Sequence, residues 1–158
     1  MKFNKHKLGF SMVELLVVVA VILIITAVAL PNLLRAKMSA NEASAVGSLR
    51  AINSSCINYS TTWGTGFPIS LSNLGPGQPA TSSAADLVDK SLASGTKSGY
   101  TFIYVSGKPA AGNISNYTVQ ANPLAPTKAG IRYFFTDQTG VIRYSIGSIA
   151  TALSQPLR

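Results

Sequence analysis

The sequence has little of what most enzymes use to carry out chemistry. It contains one histidine, His6, one cysteine, Cys56, and five acidic residues among 158. General acid–base and metal chemistry draws on histidine, cysteine or convergent carboxylates, and here the acids are scattered along the chain. It also contains no phosphate-binding glycine loop and no G-x-S-x-G elbow. We therefore expect a protein that is not an enzyme and that holds neither a metal nor another cofactor.

A single cysteine excludes an intrachain disulfide, and Cys56 is best interpreted as a small buried apolar side chain. The formal net charge is +8, of which Lys2, Lys5 and Lys7 supply three, so 8 − 3 = +5 remains for the rest. The basic residues after position 30 form no dense run, which favours solvated surface charge over a nucleic-acid footprint. DNA binding stays an open alternative.

One long apolar run stands near the start, in the stretch "KLGFSMVELLVVVAVILIITAVALP" from Lys7 to Pro31. As a helix, Phe10 to Leu30 would be about 31 Å long, which matches the hydrocarbon core of a bilayer. The lysines ahead of the run should stay cytoplasmic, so the chain after Pro31 is expected on the other side of the membrane. A secretory signal is shorter and carries its small cleavage residue after the run, whereas here Gly9 stands before it.

Glu14 lies near the start of this run without a basic neighbour. A charge at bilayer depth costs a few kcal/mol and usually marks a function with a partner. The alternative is that Glu14 lies at the membrane interface and is merely solvated.

The same stretch, continued as "KLGFSMVELLVVVAVILIITAVALPNLLRA", resembles the N-terminus of a type IV pilin precursor. Gly9 matches the family's cleavage position, Phe10 the residue that becomes N-terminal and N-methylated, Glu14 the near-terminal glutamate and Pro31 the helix-kinking proline. The resemblance implies that residues 1–9 are a leader, and that Glu14 pairs with the Phe10 amine of a neighbouring subunit. Pseudopilins of type II secretion systems share this signature.

A helix is expected to continue past Pro31, with a kink or local opening near residues 27–30 because proline lacks an N–H. The alternative is that Pro31 simply starts a new helix. We expect a transmembrane and filament-core helix over 10–30 and an amphipathic helix over 31–60. An apolar stripe with mainly three- and four-residue spacings should pack against the head. Its head-packing residues are Ala45, Leu49, Ile52, Cys56 and Tyr59.

The remaining residues, 61–158, predict an α+β head. A loop rich in Gly, Pro and Ser precedes a short helix at about 84–94, and an antiparallel sheet of three or four strands follows at about 99–146. "TDQTG" predicts a hairpin turn that contains Asp137. The head lacks the carboxylate cluster that would hold calcium in many major pseudopilins, and Asp137 is better interpreted as a turn residue than as a ligand. The pilin resemblance implies the same fold.

The leading hypothesis is a structural subunit of a type IV pilus. By resemblance it would be inserted as a single-pass precursor, cut by a prepilin peptidase and polymerised by an assembly platform and ATPase into a homo-oligomeric surface filament. Motility, adhesion or DNA uptake are the functions that such a filament implies. The alternatives are a pseudopilin or minor pilin and, from another class, a membrane-anchored extracytoplasmic binding module.

Overall fold

The computed structural model describes residues 10–109 and 113–157. The chain divides into two compact units, the first ending at Ala36 and the second beginning at Lys37. The described helices are α1, Met12–Trp63, and α2, Lys90–Ala93, with a 3-10 turn at Leu71–Leu74. The strands are β1 Thr96–Lys97, β2 Tyr100–Ser106, β3 Tyr117–Pro123, β4 Arg132–Asp137, β5 Arg143–Ile146 and β6 Gln155–Pro156.

In the first unit, every described residue from 10 to 36 is exposed, including the whole apolar run. The helical pattern is unbroken at Pro31, so local opening near residues 27–30 is not a feature of this structure. Beside the proline, Asn32 Nδ2 donates to the Val28 carbonyl at 3.2 Å, which supplies that turn with a side-chain hydrogen bond. A kink at Pro31 stays a prediction.

The second unit is built on an antiparallel meander, in which the six strands lie in sequence order. Residues of β3 alternate between buried and half-buried along its length, as expected of a strand with one face on a core. The "TDQTG" segment joins β4 to β5, and Gly140 there has a φ of +75°, a conformation that glycine adopts at little cost.

The core of this unit lies between the sheet and the later turns of α1. Leu49 and Ile52 from the helix belong to one buried cluster with Tyr100, Val119 and Phe134 from the sheet. Burying the helix stripe against the inner sheet face gives both amphipathic elements a partner. The α+β class and the pilin-like layout expected from the sequence are therefore confirmed.

Two details of the head differ from the expectation. The sheet has six strands rather than three or four, because the two-residue strands β1 and β6 extend it at both edges. The helix expected at about 84–94 spans only Lys90–Ala93. The preceding residues instead hydrogen-bond to the 3-10 turn, as when Leu87 N–H donates to the Leu74 carbonyl at 2.9 Å, and Asp86 has a φ of +54°. These tertiary hydrogen bonds replace helical ones.

Candidate assembly site

The first turn of α1 is capped by the side chains of Ser11 and Glu14, each of which accepts a hydrogen bond from a backbone N–H. Ser11 N–H donates to Glu14 Oε2 at 2.9 Å, and Ser11 Oγ accepts from Val13 N–H at 3.3 Å. The first backbone N–H groups of a helix have no intrahelical partner, and these two contacts supply partners for the N–H groups of Ser11 and Val13. This cap was not predicted from the sequence, although the S-x-x-E signature of a helix start is present in "SMVE".

This cap gives the Glu14 carboxylate a role inside its own helix. A negative charge in the first turn is also stabilised by the helix dipole. The Phe10 side chain beside the cap is 80% exposed. Gly9, the expected cleavage position, and the rest of the leader lie outside the described residues. Within them, the site brings Phe10, Ser11 and Glu14 into one short segment at the beginning of an apolar helix.

The helix that follows is apolar and long enough to cross a membrane, judged by length and composition. Its most apolar window of 18 residues has a mean hydropathy of 3.1, and none of that window is buried. Exposed Val, Leu and Ile side chains in such density require either lipid or other apolar helices around them.

Farther along α1, the side chains expected to pack against the head are all buried. Ala45, Leu49, Ile52 and Cys56 have no exposed surface, and Tyr59 is 5% exposed. The Tyr59 hydroxyl donates to the Ser82 carbonyl at 2.8 Å, so its polar tip has a partner. Leu34 and Met38 precede these residues on the same spacing, but Leu34 is exposed and Met38 only half-buried.

Two polar side chains on the helix also bind the sheet, and the first is Glu42. Its Oε1 accepts from the backbone N–H groups of Ile131 and Arg132 at 2.8 and 3.1 Å, and its Oε2 accepts from Arg132 Nε at 2.7 Å. The Arg132 guanidinium also lies 5.7 Å from the Phe134 ring centroid and 5.8 Å from that of Tyr144. The carboxylate thus holds the start of β4 against the helix.

Glu42 should make the head sensitive to acid. Burial raises the pKa of the Glu42 carboxyl, but the hydrogen bonds from Ile131 and Arg132 outweigh this and lower the pKa below its ordinary value of 4.5. A lowered folded-state pKa contributes stability above pH 4.5 that is lost as the pH falls through the folded pKa. We predict that Glu42→Gln destabilises the chain by about 1–2 kcal/mol at pH 7 and loses less stability than the wild type between pH 5 and pH 3.

The measurement is denaturant unfolding of the full chain in detergent, followed by Trp63 fluorescence. Asp86→Asn is the matched control, because it removes the charge of an exposed carboxylate at a φ of +54°, which asparagine also adopts, and should change little. Equal acid sensitivity in wild type and Glu42→Gln would count against this assignment.

The second polar side chain is Asn53, which joins the helix to two strands. Its Nδ2 donates to Thr136 Oγ1 at 2.9 Å, and its Oδ1 accepts from the Tyr117 hydroxyl at 3.0 Å. All three residues are buried. Asn53 begins an N-x-Ser glycosylation sequon, but its side-chain amide is hydrogen-bonded in the core of the folded head.

Cys56 lies beside the stacked rings of Tyr104 and Tyr117, whose centroids are 5.5 Å apart. Burial raises the pKa of its thiol to about 12, even though the nearby tyrosine hydroxyls act in the opposite direction. Since the thiolate is the reactive form, we predict that native Cys56 reacts with a maleimide at least about 100-fold more slowly than an exposed thiol. An introduced cysteine at exposed Ser54 is the control, and comparable rates would contradict the prediction.

Asp137 behaves as a turn residue, because its Oδ1 accepts from the Thr139 N–H at 2.9 Å. In the described residues there is no group of three or more His, Cys, Asp or Glu side chains placed to hold a metal ion.

Comparison with known proteins gives one match. The family model described as the prokaryotic N-terminal methylation motif matches residues 4–30. No curated protein and no solved structure matched the chain. The matched segment contains Gly9, Phe10 and Glu14 and enters the apolar part of α1. With this motif on a long apolar helix, and a pilin-like α+β layout, the chain fits the type IV pilin and prepilin superfamily.

Proposed function

We propose that this chain is the structural subunit of a type IV pilus, made as a single-pass membrane precursor and assembled into a surface filament. The observation that carries the proposal is the methylation motif at residues 4–30, which leads into an apolar helix with an exposed surface. The motif requires a processing enzyme, and the helix requires an apolar environment both before and after assembly.

Processing would begin at Gly9. A prepilin peptidase would hydrolyse the bond between Gly9 and Phe10 and remove the basic leader. The Phe10 amine is then free to be N-methylated and still able to carry a positive charge. Leader removal leaves the membrane-spanning segment in place, because the cut precedes it.

Assembly would depend on Glu14. In the described chain its carboxylate accepts the Ser11 N–H, so the group already points at the residue next to the new terminus. In a filament, the amine of Phe10 on a neighbouring subunit would neutralise this carboxylate. Opposite charges attract strongly in an apolar bundle, and a charge left there without a partner would be costly.

The apolar helices would pack together as the filament core, while the stripe from Ala45 to Tyr59 holds each head on its own helix. An assembly platform and an ATPase would extract the subunits from the membrane. Motility, adhesion or DNA uptake would then be properties of the filament rather than of one chain.

The motif also occurs in pseudopilins, and a minor pilin would carry it too. Gene deletion separates these functions. We expect deletion to remove surface filaments seen by electron microscopy and to leave protein export unchanged. Loss of export with filaments retained would support a pseudopilin instead. Normal filaments and export, with salt-dependent DNA binding by the isolated chain, would support an anchored binding module.

A further inference from the structure

The loop between β3 and β4 is fixed to the beginning of the helical segment of the second unit. Asn41 Nδ2 donates to the Ala129 carbonyl at 2.9 Å, and Ile131 N–H donates to Glu42 Oε1 at 2.8 Å. On its other side, Leu124 N–H donates to the Gly99 carbonyl at 2.9 Å. Hydrogen bonds at both ends therefore hold the loop at this end of the sheet.

The outer side of this loop combines apolar and basic side chains. Leu124 is 61% exposed and Ile131 is 46% exposed, and Lys128 between them is also exposed. Residues 124–131, "LAPTKAGI", include no acidic residue. Exposed apolar side chains beside a lysine suit the interface of an anionic bilayer, where the alkyl groups enter the headgroup layer and the ammonium stays among the phosphates.

Only a short stretch of chain separates the residues that hold this loop from the apolar run. Asn41 follows Leu30, the last residue of the apolar run, by only eleven positions. Eleven residues reach about 17 Å as a helix and at most about 40 Å when extended. Such a short tether gives the loop a high effective concentration at the bilayer surface, so weak contacts are enough.

We propose that the β3–β4 loop of the unassembled chain docks on the anionic headgroup surface of the membrane through Leu124, Lys128 and Ile131. This inference rests on the proposed membrane anchoring. A second copy of the chain is a poorer occupant, because like-charged loops repel and a stable protein interface takes about 20–30 residues on each side. Extraction into a filament would have to release this contact.

The test uses the full chain, reconstituted in vesicles that contain a spin-labelled headgroup lipid. Single cysteines at exposed Ala125 and at exposed Gln138, in the β4–β5 turn, carry a fluorophore, and the wild type reports any labelling of Cys56. We expect quenching at position 125 to exceed that at position 138 by about fivefold in phosphatidylglycerol vesicles. In phosphatidylcholine vesicles the excess should fall severalfold.

In the Ala125→Cys chain, adding Leu124→Ser and Lys128→Glu should remove the excess quenching at position 125. Adding Lys90→Glu, a change at another exposed site, should leave that excess quenching unchanged. Equal quenching at positions 125 and 138, or no effect of the loop changes, would overturn the proposal. An excess that appears only at high protein-to-lipid ratios would overturn it in favour of a second copy. Failure of the chain to float with vesicles would instead overturn the membrane anchoring itself, and with it the proposed function.

Discussion

Glu14→Gln is expected to abolish surface filaments while leaving membrane insertion and leader cleavage intact. Glutamine can still accept the Ser11 N–H, so the cap at the start of α1 is preserved and only the charge is removed. If Glu14 neutralises the Phe10 amine of a neighbour, its loss leaves a cation unpaired in an apolar bundle. Breaking a buried pair in this way costs about 3–5 kcal/mol, which corresponds to at least a 100-fold loss of filaments.

The cap allows two controls that separate helix stability from subunit pairing. Ser11→Ala removes the Val13 N–H contact at 3.3 Å but keeps the carboxylate, so filament yield should change little. Glu14→Ala removes both cap and charge and should match Glu14→Gln. Filament yield is measured by immunoblot of sheared material against total membrane protein. Normal yield from Glu14→Gln would contradict the pairing and leave the cap as the role of Glu14. A loss in Ser11→Ala as large as that in Glu14→Gln would mean that filament yield does not report the charge of Glu14.

The second large effect is expected from Asn53→Ala in the head. The change removes the Asn53 amide and leaves the buried hydroxyls of Tyr117 and Thr136 without this hydrogen-bond partner. Each buried polar group deprived of its hydrogen bond costs about 1–3 kcal/mol, so the head should lose about 2–4 kcal/mol of stability.

Asn58→Ala is the matched control, because Asn58 lies on the same helix but is exposed. Thermal unfolding of the full chain in detergent, followed by near-UV circular dichroism, measures both variants. We expect a clearly lowered Tm for Asn53→Ala and a nearly unchanged Tm for Asn58→Ala. A similar Tm for the two variants would mean that the Asn53 hydrogen bonds contribute little net stability.

The features that the sequence predicted well are those with a strong local pattern. Spacings of mainly three and four residues marked Leu49, Ile52 and Cys56 as one face of a helix, and those residues are buried. The sheet predicted at about 99–146 contains β2 to β5, which are rich in aromatic and β-branched residues. The length of the apolar run was enough to predict a helix that could span a membrane.

What the sequence did not reveal depends on contacts between distant residues. Glu42 and Arg132 are far apart in the chain, and nothing local shows that they meet. Strands β1 and β6 have two residues each, too few for any period to be seen. Residues 84–89 have a helix-like composition, but hydrogen bonds to the 3-10 turn decide their conformation. The Ser11–Glu14 cap was the exception, because its signature was present and was overlooked.

Mass spectrometry of protein sheared from the cell surface tests leader removal and filament export together. If the chain is a processed pilin, we expect an abundant chain that begins at N-methylated Phe10, lacks residues 1–9 and is present in the filament fraction. A chain that still begins at Met1 and is found only in the membrane would contradict it and leave an anchored domain without a role in filaments.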